Sequence, residues 1–447
     1  PGSKLDTEAR LRGNSVYFPD RVVPMLPERI SNDLCSLREG EDRPALAVRM
    51  VFSADGEKRR HAFHRIMMRS HAKLAYEKAQ ASIDGDETAA PAEIRDTVLR
   101  PLWAAYASLK SARGRRGPLE LDLPERRIKL NAEGRVERVY IPPRLDAHRL
   151  IEEFMIQANV AAAETLEAKR QALLYRAHDA PSLTKLESLR DFLRTLDMPL
   201  AKSGALRPSH FNQILSRVQG SEHEHLVNEV VLRSQSQALY QRENIGHFGL
   251  NLTKYAHFTS PIRRYADLVV HRALILSLGL GPGALTKADE DRLDLTAEEI
   301  SAAERRAMAA ERDTVDRLIA HHLADRVGAD FTGRITGVTK AGLFVRLEAF
   351  GADGFVPIST LGNDYFHYDE AMHSLVGERS GEGFRLGDVV EVRLVEAAPL
   401  AGAMRFEMLS ETRELPRSNV SFHKSRKGFG ARRAKPAGRP GGRGKRR

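Results

Sequence analysis

Arg263 and Arg264 stand side by side in HFTSPIRRYADLVVHR, residues 257–272, directly after a Ser-Pro pair. Ser260 as N-cap and Pro261 at the first helical position would put both arginines in the first turn of a helix. Each cation there opposes the positive end of the helix dipole, at a cost of roughly 0.3–1 kcal/mol. Two arrangements offset that cost. Asp267 can pair with Arg263 along the helix surface, or an anion can sit at the helix start, face both guanidiniums and accept the free N–H groups, with phosphate the natural guest. The residues alone fit either. Ser260 with His257 and His271 has the composition of a serine hydrolase site, but a Ser before Pro at a helix start serves as a cap, and no G-x-S-x-G elbow surrounds it. His321 and His322 are adjacent, cannot face one metal together, and fit a helix end.

Acids on apolar faces form the second group. Glu311 lies three residues after Met308 and four before Val315, on a stripe through Ile300, Met308, Val315, Ile319 and Leu323. Glu152 and Glu153 are surrounded by Leu150, Ile151, Phe154, Met155 and Ile156. A carboxylate so placed needs a partner or water. A buried salt bridge to an arginine satisfies it, and so does a polar channel holding a ligand with hydroxyl groups. The acidic runs DGDE (84–87) and DEDRLD (289–294) fit solvated surface better than a metal site. Among the aromatics, Tyr17 precedes Pro19 in a polar segment, where an exposed ring suits stacking on a nucleobase, and Tyr76 opens a helical pattern. Phe331, Phe344, Phe355 and Tyr365 interleave with Arg334, Lys340 and Arg346, a mixture that resembles a nucleic-acid-binding face, although a small barrel also needs phenylalanines in its core.

These residues need elements to position them, and 447 residues with 42% apolar content provide for two or three domains with a real core. No run approaches the roughly 20 uncharged apolar residues of a membrane span, and the first residues contain no apolar leader core. Cys35 is the only cysteine, which excludes intramolecular disulfides and Cys-based zinc sites, points to the cytoplasm, and reads as a buried, inert thiol. The net charge of +10 is a property of the C-terminus: residues 417–447 carry 12 basic residues and no acid, leaving −2 for the rest.

Residues 1–60 read as loops and short strands, with ALAVRMVFSADG a strand entering a hairpin turn. A long helix is expected from Asp146, and a second from a capping box at Thr296–Glu299 to about Val327. After Gly328 short alternating runs split by glycines predict a small antiparallel barrel, and Gly-, Pro-, Lys- and Arg-rich sequence after about Glu414 predicts a disordered tail.

GHFGLNLTKYAHFTSPIRRYADLVVHR together with GNSVYFPDRVVPMLPERISNDLCSL resembles the catalytic (RNB) domain of the ribonuclease II/ribonuclease R exoribonucleases, on the ribonuclease R side, over about residues 1–325. FTGRITGVTKAGLFVRL through GDVVEVRLVEA is similar to an S1 RNA-binding domain, an OB-fold. The fold class expected is α+β: an incomplete RNB domain (1–325), a five-stranded S1 barrel (326–412) and a disordered basic tail (413–447). The resemblance implies processive 3′-to-5′ hydrolysis of RNA to nucleoside 5′-monophosphates, Mg²⁺ in a deep channel, and a monomer that takes single-stranded 3′ ends and avoids membranes. It implies that Arg263 contacts the scissile phosphate, that Tyr17 stacks near the 3′ end and that Tyr76 positions terminal nucleotides. Glu311 and Glu152 would line the channel near sugar hydroxyls, with Arg264, Phe331, Phe344, Lys340 and Arg346 as further RNA contacts.

Three departures qualify this. The family's aspartate metal ligands lie upstream of the segment that begins here, so the chain is expected to hold no metal and to be inactive alone. Leu121 stands where some relatives carry a base-clamping Phe, and Ala341 occupies a position often aromatic in S1 domains. The alternative is a non-hydrolytic RNA-binding module built from the barrel and the tail.

Overall fold

A computed structural model describes residues 1–121, 126–200, 206–221, 223–370 and 372–415. The chain opens on a helix, not on loops. α1 (Lys4–Arg12) has Ser3 as N-cap and closes at Gly13 with φ +72°. KLDTEARLR has little apolar periodicity and buries only Ala9, so its helix depends on the cap and on packing against a helix far along the chain. β1 (Val16–Tyr17) and β2 (Val22–Val23) pair, and a long ribbon follows, β3 (Asp42–Phe52) antiparallel to β4 (Lys58–Arg69), which turns Leu46, Val48, Met50 and Phe63 toward the core. That ribbon is the hairpin expected at SADG. Cys35 is exposed rather than buried, just after a short helical segment, Arg29–Leu34, that buries no residue.

α2 (Tyr76–Asp84), α3 (Ala92–Ile94), α4 (Arg100–Arg116) and the hairpin of β5 (Arg127–Leu130) with β6 (Val136–Tyr140) lead to the central helix α5 (Asp146–Ala168). α5 begins at Asp146 as expected, with Leu145 as cap. Its Ala158, Ala161, Ala162 and Ala163 are buried, and side chains this small let neighbouring backbone approach closely. β7 (Tyr175–Ala177) is followed by α6 (Leu183–Arg194), α7 (Pro208–Val218) and α8 (Glu224–Ser234), which share a core around Phe192, Phe211 and Val231; β8 (Leu239–Gln241) then pairs with β7.

α9 (Tyr265–Leu278) starts four residues later than the Ser260–Pro261 reading placed it, with Arg264 as its N-cap. Ser260 O accepts the N–H groups of Arg263 and Arg264 at 3.2 and 3.1 Å, which closes a turn over Pro261 and Ile262. The capping carboxylate is Asp267, inside the helix, which accepts the Ser260 N–H at 2.7 Å. After α10 (Lys287–Asp291) comes α11 (Leu293–Leu323), which by contrast starts earlier than expected. Thr296 is buried within α11 and is no cap; His321 and His322 do occupy its last turn. Met308, assigned to the buried stripe, is 57% exposed. Its buried residues include Ile300, Ala303 and Ala307, then Ile319 and Leu323, and between these two groups the helix borders a pocket.

The barrel region comprises β9 (Asp330–Thr339), β10 (Gly342–Leu347), β11 (Asp353–Pro357), β12 (Phe366–Asp369), β13 (Ser374–Gly377), β14 (Glu382–Arg385), β15 (Val389–Ala398), β16 (Ala403–Met408) and β17 (Arg413–Glu414). β10, β11, β16, β15 and β9 close into a five-stranded barrel in that order, while β12, β13, β14 and β17 form a second sheet. The fold class is the expected one. In β15, Val390, Val392 and Leu394 face in and Glu391 and Arg393 face out, the period of a half-buried strand. Ile319, Ala320 and Leu323 of α11 belong to the barrel's core, so one helix joins pocket and barrel. Arg413 and Glu414, expected in the tail, pair with β14, and the rest of that tail from residue 416 lies outside the described residues. No described helix is long and apolar enough to cross a membrane.

Candidate functional site

The segment after α1 builds one wall of the pocket. Gly13, whose positive φ ends the helix, offers its carbonyl to the Tyr265 N–H at 2.8 Å, and the Ser15 N–H donates to Arg263 O at 3.0 Å. The first N–H of α9 is therefore capped by Gly13 and is not free for an anion. A Cβ at Gly13 would lie 2.7 Å from the Ala303 Cβ, so glycine permits this segment to lie on α11. Two residues beyond Ser15, the Tyr17 N–H donates to Glu311 Oε1 at 2.6 Å. The result is a pocket of about 180 Å³ whose lining includes Asn14, Tyr17, Tyr240, Arg263, Glu304 and Glu311. Three residues expected to act together, Arg263, Tyr17 and Glu311, are brought together here.

Charge in the pocket is distributed unevenly. Arg264 donates Nε and Nη2 to Asp267 at 2.8 and 2.9 Å, and the Asp267 side chain is fully buried. Burial opposes the Arg264 charge, but Asp267 holds its pKa above the ordinary guanidinium value. The pairing partner of Asp267 is thus Arg264, not Arg263, and Arg264 is not available to a ligand. Glu304 is held by Arg176 through a two-pronged pair at 2.7 and 3.0 Å, and that guanidinium lies 4.7 Å from the centre of the Tyr240 ring. The Tyr240 hydroxyl meets His257 Nδ1 at 2.9 Å. Burial, followed by the charges of Arg264 and Arg176, keeps His257 well below the usual imidazole range. What remains uncommitted is the exposed Arg263 guanidinium, which has no hydrogen bond or ion pair among the described residues, and Glu311 Oε2. Beside them is the Tyr17 ring, 49% exposed. A cation, a hydrogen-bond-accepting carboxylate and an open aromatic face match a phosphate, a sugar hydroxyl and a base.

The other expected contacts lie elsewhere. Tyr76 stacks on His148 at 4.2 Å between ring centres, one helical turn before Glu152 on α5. Glu152 accepts from Arg144 at 2.6 Å, while Glu153, buried, lies against Arg113 and Arg116 at 3.4 and 3.1 Å. The salt bridge to arginine is therefore realised at both acids, and breaking the buried Glu153 pair would cost about 3–5 kcal/mol. On the barrel, Phe344 and Phe355 are cross-strand neighbours with centroids 5.2 Å apart on the outer surface. Lys340 and Ala341 are exposed at the β9–β10 turn. Phe331 packs against the barrel core beside Phe350 and is structural. Arg346 is taken up by Asp353 at 3.0 Å and by Glu229 of α8 at 3.6 Å, which ties the barrel to the helices. Leu121 packs on the α6–α8 core. His271 bonds Phe258 O at 2.7 Å, so no Ser-His pair forms at Ser260.

The resemblance implied Mg²⁺. No three His, Cys, Asp or Glu side chains among the described residues are arranged to hold a metal ion. Near Arg263, Asp267 and Glu304 are neutralised by arginines, and one Glu311 oxygen accepts the Tyr17 N–H. The residues present do not fit a divalent cation.

Glu304, Tyr240 and Asn14 were missed in the sequence. Glu304 had a signal, standing seven residues before Glu311 on one helix and so on the same face. Tyr240 and Asn14 had none, because a two-stranded pairing and a loop bring them in from distant parts of the chain.

A family model described as the RNB domain matches residues 1–279, and one described as the S1 RNA binding domain matches residues 324–406. Ribonuclease R of Vibrio cholerae serotype O1 is 40% identical over 436 residues, 93% of this chain and 52% of that protein. Ribonuclease R of Escherichia coli is 39% identical over 445 residues, 96% of this chain and 54% of that protein. The chain spans about half the length of the curated relatives it matches. The structure of Mycoplasma genitalium RNase R in complex with ribose-methylated single-stranded RNA superposes with a TM-score of 0.86 at 26% identity, over 92% of this chain and 64% of that one. Yeast Ssd1, described as a pseudonuclease, shares the fold with a TM-score of 0.65 at 21% identity, over 84% of this chain and 46% of that one.

Proposed function

The chain belongs to the RNB family, and from that premise we propose that it carries the phosphate-gripping part of a processive 3′-to-5′ exoribonuclease that releases nucleoside 5′-monophosphates. The observation that supports this best is the pairing pattern in the pocket: of two adjacent arginines one is neutralised by a buried carboxylate, and the other lines the cavity with no ion pair among the described residues. In this reading Arg263 binds the scissile phosphate and stabilises the charge that develops on it. Tyr17 stacks on a base at the 3′ end. Glu311 accepts a hydrogen bond from a ribose hydroxyl, the group that distinguishes RNA from DNA. Tyr76, at the start of α2, and Glu152, in the first turns of α5, position nucleotides further from the end, and Phe344, Phe355 and Lys340 hold the strand on the barrel. The proposed setting is cytoplasmic RNA turnover by a monomer.

Because the pocket does not fit a metal, we propose that this chain alone binds RNA without appreciable hydrolysis, with any metal-assisted step depending on donors other than those of the pocket. The test uses oligonucleotides of one sequence, as RNA and as DNA, labelled at the 3′ end and incubated with the chain and Mg²⁺. RNA is expected to bind more tightly than DNA, the difference to shrink in Glu311→Ala, and the label to stay on the oligonucleotide. Equal binding of RNA and DNA would remove the role given to Glu311, and rapid release of labelled monophosphate would overturn the inactivity.

A further inference from the structure

We propose that the outward face of the β5–β6 hairpin, formed by Arg127, Lys129, Arg138 and Tyr140, is a contact surface for single-stranded RNA. The proposal rests on RNA being the ligand of the pocket. In the register of the hairpin, Arg127 is opposite Tyr140 and Lys129 is opposite Arg138. Residues directly across from one another, and two apart along a strand, share a face, so the four form one continuous patch. Burial agrees with the pairing: all four are exposed, while Ile128 between the two cations of β5 packs against the barrel core.

The patch is costly as a purely structural surface. Like charges directly across a strand pair are destabilising, and Lys129 faces Arg138. One acid offsets part of this, since Glu137 accepts from Lys129 at 2.9 Å. Arg127 has no hydrogen bond or ion pair among the described residues, and Arg138 is satisfied only by the ring of Tyr140, with its guanidinium 4.9 Å from the ring centre. An arginine laid over an open tyrosine combines a cation with a stacking platform, the pair of features that sequence-tolerant single-strand binders use. Phosphate would supply the missing counter-charge.

The position suits a strand that also reaches the pocket. β6 packs on α11, the helix that carries Glu311. Arg126, immediately before β5, donates to Glu348 O of the barrel at 3.2 Å. The chain leaving Tyr140 runs through Arg144 into α5, where Glu152 sits and where His148 stacks on Tyr76 of α2. The hairpin thus lies at the junction of the barrel, the pocket helix and the second cluster of expected contacts.

The experiment measures the affinity of the full chain for a fluorescent oligoadenylate as a function of salt. Wild type is compared with Tyr140→Ala and with the combined Arg127→Gln, Lys129→Gln, Arg138→Gln variant, each checked for an unchanged thermal midpoint. Losing three phosphate contacts should flatten the slope of log affinity against log salt by about 2, at roughly 0.7 per contact on a single strand. Tyr140→Ala should weaken binding about ten-fold with little change in slope. A combined variant with the wild-type slope would overturn the proposal while leaving the pocket reading intact. A wild-type chain that fails to bind the oligonucleotide would overturn both.

Discussion

A guanidinium withdrawn from water needs a counter-charge, so the partner an arginine finds inside its own protein decides whether it is free to bind anything else. Arg264 finds Asp267 and becomes part of the fold; Arg263, one residue earlier, finds none among the described residues and lines the pocket. In the hydrolytically competent protein, Arg263→Ala should lower turnover by about 10²–10³-fold, the range seen when a donor to developing charge is removed. RNA affinity should fall less than about ten-fold, since many other contacts hold the strand. Equal losses in turnover and binding would reduce Arg263 to a docking contact. The residue types were legible in advance, and so was the neighbourhood of Arg263, Tyr17 and Glu311. Which arginine Asp267 takes was not, because that follows from the extended backbone of Arg264 (φ −138°, ψ 125°), which turns its side chain onto the helix. The exposure of Cys35 was hidden for a similar reason, since a short apolar-flanked helical turn can face either way.

At the level of elements, α11 does most of the positioning. Its 31 residues carry Glu304 and Glu311 at the pocket and Ile319 and Leu323 in the barrel core. The ribbon of β3 and β4, the start of α5 and the alternating strands of the barrel were readable from period and caps. The starts of α9 and α11 were not: the distant Gly13 carbonyl takes the first N–H of α9, and α11 follows α10 directly, with Arg292 at its N-cap and no side-chain cap bond. Next to the pocket, the β7–β8 pair and the loop into α9 bury His178, His247, His257 and His271. Burial is the leading cause in each case, and it pulls His247 down to about 3 and lowers the other three. The unfolded chain takes up these protons near pH 6.5 and the folded chain does not, so stability is fully present above about pH 6.5 and is lost as pH falls toward 3. One such histidine contributes about 1.4 kcal/mol per pH unit over that window. Urea unfolding at pH 7.5, 6.0 and 5.0 should therefore show a falling midpoint, steeper than one group accounts for. A midpoint that stays level or rises on acidification would contradict the neutral assignment of the cluster.

Across the whole molecule, an RNB region and an S1 barrel share α11, and the sequence beyond residue 416 adds 12 positive charges with no acid. Cations that meet RNA displace counterions, so deleting residues 417–447 should flatten the salt dependence of RNA binding, and an unchanged slope would exclude the tail as a contact. Composition made the tail legible, and alternation made the barrel legible. The second sheet was not, because β12, β13 and β14 are too short to show a period and β17 returns to β14 only after two barrel strands. Fold alone does not settle activity, and a protein described as a pseudonuclease shares this one. What occupies the pocket therefore decides the activity. Determining the structure of the chain with a short oligoribonucleotide tests this most directly. The prediction is a backbone phosphate within about 3 Å of the Arg263 guanidinium, with the adjoining sugar at Glu311 and a base on Tyr17; RNA bound elsewhere with this pocket empty would contradict it.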